Sequence, residues 1–356
     1  MTSPVSPPEW FTDVWQPEER GFTLDKYLGG GLRGKAWRFQ ETAHGEQGRP
    51  RRFVVKYTHN AGSLLCVEKE IKFAKYFDDQ RLYGQAHIAQ LIVDGNGPRE
   101  PINVPEDTPR EKRIFLVTEY LENGELQKFQ SKANARRFSG VNVNPIPNRV
   151  LWYIFKCLSR IVLALAYVPN RPLGSLIEGQ TILETPGLFE PTTATHYQIY
   201  HGDLKNHLGN LMFGEYDANE HYLVPILKAI DFSEATDSYN EFTNRLRNGI
   251  TGDTLTQGNI RDVGIVMQSL YGHSSVDTPE RFFRYNKNLD EDIYYLATRC
   301  ADPDHTKRPG ANELFNTVHN FTMRKTGPQH FPGKRFAEWE SDEKIREFMH
   351  DVLHTP

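Results

Sequence analysis

The chain has 356 residues, of which 38% are hydrophobic and 25% charged, and a formal net charge of −4. That length can bury a substantial core in one large or two ordinary domains, and the composition is ordinary for a globular protein. No long basic run or basic–aromatic stripe is present, so nucleic acid is excluded as a default partner. The three cysteines, Cys66, Cys157 and Cys300, lie far apart with no CxxC or local Cys/His pattern. Neither a disulfide framework nor a zinc site is expected; buried thiols in a reducing compartment are.

Residues 1–20 hold four prolines and read as an extended arm. They lack a basic stretch followed by an apolar one, so no signal peptide is expected. The most apolar segment, 161–168, is too short to span a bilayer. Cytoplasm or nucleus is the expected location, with no membrane partner.

Residues 22–28 and 36–40 alternate apolar with polar, as strands do, and Gly29, Gly31 and Gly34 lie between them. A polar turn at 42–50 leads into the strand pattern Phe53-Val54-Val55-Lys56-Tyr57, giving an antiparallel meander. Apolar residues at helical spacing predict a helix over 64–77. A buried-type strand follows at 114–120, and then a turn.

Beyond residue 121 the character changes. Helices are predicted at 150–167, 260–271 and 289–300, and an amphipathic one at 337–353. Polar, proline-bearing stretches at 95–111, 130–148 and 169–196 read as loop insertions. A strand-rich front and a helix-rich back predict an α+β chain of two unequal lobes.

Gly29-x-Gly31-x-x-Gly34 also opens dinucleotide-binding units, but those need a helix straight after the glycines. Here Lys35-Ala36-Trp37-Arg38-Phe39 alternates as a second strand. A glycine flap between antiparallel strands lets backbone N–H groups approach phosphate oxygens without Cβ clashes. Lys56, on the next strand, can hold phosphates if a carboxylate positions it. Glu68 and Glu70 are both candidates, and Glu70 sits better beside the apolar face.

Two aspartate motifs follow: His201-Gly202-Asp203-Leu204-Lys205, continuing to Gly209-Asn210-Leu211-Met212, and Ile230-Asp231-Phe232-Ser233. Phosphoryl transfer needs a carboxylate to orient the attacking hydroxyl and oxygen ligands to hold magnesium. Asp203 suits the first role, and Asn210 and Asp231 the second.

This series resembles the eukaryotic protein kinase superfamily over about 22–321. The resemblance implies a bilobal protein-kinase-like fold, with a small β-rich lobe at 21–121, a larger helical lobe at 122–322 and a tail with a helix at 323–356. It implies ATP and magnesium as cofactors. Gly29, Gly31 and Gly34 would cover the phosphates, and Lys56 would pair with Glu70. Thr118 would be the gatekeeper, and Glu119 and Leu121 would offer backbone to adenine. Val54 and Met212 would line the adenine pocket. Lys205 completes the spacing typical of serine/threonine kinases. The run Cys300-Ala301-Asp302-Pro303, Arg308-Pro309 and Glu313-Leu314 resembles a late signature of the family that is independent of catalysis.

Several positions depart from that pattern. Gly202 replaces an arginine that normally answers an activating phosphate, and HGD is common in small-molecule phosphotransferases of the same fold. Asp203 and Asn210 are seven residues apart, where the family has five. The extra two are read as inserted before Gly209, with Asn206 and His207 as spare metal candidates. Ser233 replaces a glycine, and no Ala-Pro-Glu precedes the helix near Asn259. Asn259, or Asp262 if the register shifts, is expected to brace the catalytic loop. The expected function is an ATP- and magnesium-dependent phosphotransferase acting on protein serine or threonine hydroxyls. The alternatives are a small-molecule kinase and a nucleotide-binding or scaffolding pseudokinase. The C-terminal helix is expected to dock on the large lobe or to bind a protein partner.

Overall fold

A computed structural model describes residues 7, 18, 21–31, 34–42, 50–57, 61–78, 85–94, 114–136, 146–166, 183–186, 198–237, 255–272, 279, 282–283, 286–331 and 337–354. The 95–111 stretch lies outside them, as do the arm at 1–20 apart from residues 7 and 18 and the 169–196 stretch apart from 183–186.

The first half builds one antiparallel sheet from β1 (Phe22–Gly31), β2 (Gly34–Glu41), β3 (Arg52–Tyr57), β4 (Leu91–Asp94) and β5 (Phe115–Glu119), with α1 (Ala61–Asp78) between β3 and β4. The strand order is β1-β2-β3-β5-β4. Alternation sends successive side chains to opposite faces. Phe53, Val55 and Tyr57 therefore join Trp37, Phe39 and Phe115 in an aromatic layer on one face, where Trp37 and Tyr57 stack at 4.7 Å. Lys56 lies on the other face, in register with Ala36 and Leu116. Val67, Ile71 and Ala74 of α1 pack with Leu91, Ile114 and Leu116, which brings α1 over the face that carries Lys56.

The second half is largely helical. It contains α2 (Leu126–Ala135), α3 (Asn148–Ala166), α4 (Leu255–Tyr271), α5 (Glu291–Cys300), α6 (Ala311–Arg324) and α7 (Asp342–His354). Two short ribbons accompany them, β6 (Ile199–Tyr200) with β9 (Thr236–Asp237), and β7 (Leu211–Phe213) with β8 (Leu227–Ala229). Gln130–Ala135, read in the sequence as the start of a loop, continues α2, because Leu126, Phe129 and Ala133 keep a buried stripe at helical spacing. The helix expected from residue 260 starts at Leu255.

Every residue of α3 is buried. A helix that is apolar all round belongs at the centre of a core, and α4 and α6 both pack on α3. Its buried charged side chains, Arg149, Lys156 and Arg160, each meet a carboxylate. Arg160 meets Glu220 at 2.7 Å, and the Trp152 indole donates to Asp290 at 2.8 Å. At its N-terminus the Glu340 carboxylate accepts from the N–H groups of Asn148 at 2.7 Å and Arg149 at 2.9 Å. An acid at that end satisfies orphan donors and complements the helix dipole.

Glu340 comes from the C-terminal segment, which docks on the helical body. Residues 337–340 form a short 3₁₀ turn, and α7 begins after Ser341. Ile345, Met349 and Val352 are buried, and Phe348 meets Phe129 edge-on at 6.0 Å. The apolar face of α7 is thus covered by the chain itself. Among the described residues, no helix is long and apolar enough to cross a membrane.

Candidate active site

The glycine hairpin closes directly over β3. Gly31 pairs with Gly34 at the tip of the β1–β2 ladder; Leu32 and Arg33 lie outside the described residues. Gly34 has φ of 127°, a conformation that side-chain-bearing residues rarely adopt. A Cβ there would stand 3.0 Å from the Tyr57 carbonyl and 3.3 Å from Val67. The hairpin therefore approaches the strand beside Lys56 more closely than any other residue type would allow. Gly29 also has positive φ, at 147°.

Three distant segments meet at Lys56. Its ammonium pairs with the Glu70 carboxylate of α1 and lies 3.3 Å from Asp231 Oδ1. Of the two candidate glutamates, Glu70 is the buried one. Burial lowers the Lys56 pKa, but the charges of Glu70 and Asp231 outweigh it and leave the pKa above the ordinary 10.5. Burial raises Asp231, and the Lys56 charge with hydrogen bonds from Ser233 outweighs that, leaving it below the ordinary 3.8.

Asp231 is the only non-glycine residue with positive φ among those described, at 59°. Aspartate tolerates this left-handed region better than most residues. Here the Ser233 N–H donates back to Oδ1 at 3.3 Å. Phe232 packs 4.7 Å from the His201 ring and 6.5 Å from Phe73 of α1, which seats the turn between both halves of the molecule. Since Lys56 and Ser233 both engage Oδ1, Oδ2 is the oxygen available to a cation.

The segment 201–210 is braced from beneath. The His201 N–H donates to Asn259 Oδ1 at 3.1 Å, while Asn259 Nδ2 donates to the Ile199 carbonyl at 2.6 Å. Of the two residues considered for this bracing, Asn259 performs it. Asp262 takes Lys205 at 3.0 Å and the Tyr200 hydroxyl at 3.0 Å instead. Gly202 has φ of 83°, and a Cβ on it would stand 2.7 Å from the Glu234 carbonyl. In this conformation the backbone leaves no room for a side chain at position 202.

Asp203 is buried and gathers two amides. Asn210 Nδ2 donates to Asp203 Oδ2 at 3.2 Å and to its carbonyl at 3.1 Å, and Asn206 Nδ2 reaches Oδ1 at 3.4 Å. A 3₁₀ turn, Leu208–Asn210, absorbs the longer interval, with Leu208 buried in the core. With its Nδ2 on Asp203, Asn210 has Oδ1 as its donor atom for a cation. Asp231 and Asn210 together supply the hard oxygens that magnesium prefers. The Ile230 N–H donates to the Asn210 carbonyl at 3.0 Å, tying the two motifs together.

The positions expected near adenine are more dispersed. Val54 lies on β3 in register with Thr118, and Met212 on β7 in register with Lys228. The Glu119 N–H already donates to the Gln90 carbonyl at 3.1 Å, and its carboxylate takes Lys228 at 2.7 Å and the Gln90 N–H at 2.8 Å. Leu121 is buried, close to where a side chain on Gly214 would stand. Arg308 donates to the carbonyls of Asp302, Pro303 and Gln257 at 2.7, 3.1 and 2.9 Å.

Cys157 and Cys300 are buried, as expected of the thiols, whereas Cys66 is half-buried; the fold gathers Cys157 with His87 and His221 into a buried cluster whose ligand atoms lie within 4.8 Å of one another. The three residues come from the segment before β4, from α3 and from the turn before β8. No local pattern could have signalled them.

No family model matches the chain, and no curated protein matches it either.

Proposed function

We propose that the chain is an ATP- and magnesium-dependent phosphotransferase with a bilobal, protein-kinase-like fold. The observation that carries this reading is the cluster of Lys56, Glu70 and Asp231, joined through Ile230 to the Asp203–Asn210 pair. A structural ion pair needs one carboxylate. A lysine held by one carboxylate and facing another, beneath a glycine hairpin, is what phosphate positioning requires.

In this reading Glu70 holds Lys56, and Lys56 orients the phosphates. The hairpin at Gly29, Gly31 and Gly34 covers them with backbone N–H groups. Asp231 through Oδ2 and Asn210 through Oδ1 would hold magnesium, which when bound offsets phosphate charge. Asp203, steadied by Asn206 and Asn210, orients the acceptor hydroxyl and receives its proton. Lys205, fixed by Asp262, stands beside this base as a second cation for the transferred group. Val54, Leu121 and Met212 would bound the base, with Glu119 and Leu121 offering backbone.

A protein serine or threonine is the proposed acceptor, on the strength of Lys205 and of the Cys300 to Leu314 signature. A small-molecule hydroxyl is the second reading. Gly202 favours it, because the clash with Glu234 removes the arginine on which switching by an activating phosphate depends. The test is transfer from γ-labelled ATP, offered protein extract in one arm and a metabolite pool in the other. Label in protein that is lost in Asp203→Ala supports the first reading, and label confined to metabolites supports the second. No label in either arm, with ADP release equal in wild type and Asp203→Ala, would sink the phosphotransferase.

A further inference from the structure

Behind β8 lies a set of side chains that the proposed phosphotransferase does not use. One ligand atom each from His87, Cys157 and His221 lies within 4.8 Å of the other two, and Cys157 Sγ is 3.9 Å from His221 Nδ1. Both imidazoles and the thiol are fully buried. His87 Nε2 has no hydrogen-bond partner. A buried polar atom left unpaired is costly, so this one needs an explanation.

The His87 ring is already oriented. Its Nδ1 lies 2.6 Å from Glu184 Oε2, and its backbone N–H donates to Glu184 Oε1 at 2.9 Å. A carboxylate on one ring nitrogen, with the other nitrogen free, is the outer-shell arrangement that fixes histidines as metal ligands.

We propose that His87, Cys157 and His221 form a buried zinc site. With zinc–nitrogen and zinc–sulfur bonds of about 2.0–2.1 and 2.3 Å, tetrahedral ligands stand roughly 3.5 Å apart. The 3.9 Å between Cys157 and His221 closes to that with a small side-chain adjustment. Binding breaks the S–H bond, forms the zinc–thiolate bond and releases the proton to solvent. The complex of one Zn²⁺ and one thiolate carries a single positive charge, which the Glu184 carboxylate on His87 offsets, while the nearby cations Lys156 and Arg160 share Glu220. Thiolate and imidazole together suit zinc better than magnesium or calcium, which take oxygen ligands. Three protein ligands leave a fourth position for water.

The site joins three chain segments at the back of the proposed nucleotide site. The Leu227 N–H donates to Cys157 Sγ at 3.4 Å, and the Ala229 N–H donates to the His87 carbonyl at 2.9 Å. Zinc would therefore pin β8, which leads into Asp231, to both α3 and the segment before β4. This proposal does not depend on the phosphotransferase reading.

Full-length protein prepared without chelator is assayed for metals by mass spectrometry, then unfolded with chelator and refolded either metal-free or with Co²⁺. The expected results are one zinc per chain, a lower Tm after metal-free refolding, and a thiolate-to-cobalt charge-transfer band that is lost in Cys157→Ser. Wild type that refolds to a native spectrum and melts cooperatively with less than a tenth of an equivalent of zinc, and shows no cobalt band, overturns the proposal. So does undiminished zinc in the folded fractions of both Cys157→Ser and His221→Ala, or stoichiometric copper in place of zinc. If either variant fails to fold, the wild-type measurements decide.

Discussion

Gly202 and Asp231 occupy adjoining turns, and both carry positive φ. Their substitutions are predicted to act for different reasons. Gly202→Ala places a Cβ against the Glu234 carbonyl at 2.7 Å and adds a left-handed penalty of about 1–2 kcal/mol. Denaturant titration should show at least that loss, and Gly202→Arg should not restore an activating-phosphate response. Asp231→Asn removes one of two carboxylates that face a single lysine, and asparagine tolerates the same backbone region. Its Tm is predicted to fall below that of wild type, because the Lys56 contact that holds the Asp231 pKa down is lost, and magnesium-dependent nucleotide binding is lost with it. Asp203→Ala is predicted to reduce transfer by about 10²–10⁴-fold, with ATP binding retained in calorimetry. At this scale helical spacing favoured Glu70 over Glu68 because it lies beside the apolar face, and the fold sets Glu70 against Lys56. The sequence preferred Asn259 to Asp262 by alignment alone, since both lie on one helix and their targets are set by tertiary contact. The His87–Cys157–His221 cluster was illegible for the same reason: its members are paired by folding and not by spacing.

The decisive element is α3, around which α4 and α6 pack and whose first turn is held by Glu340. Glu340→Ala leaves two buried N–H groups without their acceptor, and is predicted to cost about 1–3 kcal/mol. Denaturant unfolding at constant m-value would measure it. Glu340→Gln keeps an acceptor and should lose less. Apolar periodicity announced α3, because a nineteen-residue apolar helix has one place to go. The strands around Lys56 were legible from alternation, although β1 runs on to Gly31 because Gly29–Gly31 pair within the ladder. The extension of α2 through Ala135 was hidden by polar residues on its exposed face, and the start of α4 at Leu255 by the glycine at 258.

Across the molecule, the Lys56 cluster joins the sheet, α1 and the segment after β8, so its charge state couples both halves to pH. The Lys56 pKa lies above 10.5 in the folded chain, so its contribution is complete below that pH and is lost as pH rises through the folded value. The Asp231 pKa lies below 3.8, so its contribution is complete above that pH and is lost as pH falls through the folded value. Replacing Lys56 by methionine leaves burial to dominate at Asp231 and raises its folded pKa. The variant should therefore gain stability on acidification from pH 7 to 5, where wild type stays flat at this site. Urea unfolding across that range measures the difference.

The same charge balance makes the central claim testable at equilibrium. Asp231 and Glu70 face Lys56 and Lys205 is already held by Asp262, so free triphosphate is expected to be repelled and to be accepted once magnesium offsets the charge. Calorimetric titration of the full-length protein with ATP, with and without magnesium, measures this most directly. The account predicts saturable one-to-one binding that magnesium tightens by roughly tenfold or more, equivalent to about 1.4 kcal/mol, and that Asp231→Asn abolishes. No binding in either condition, or equal affinity with and without magnesium in both wild type and Asp231→Asn, would contradict it.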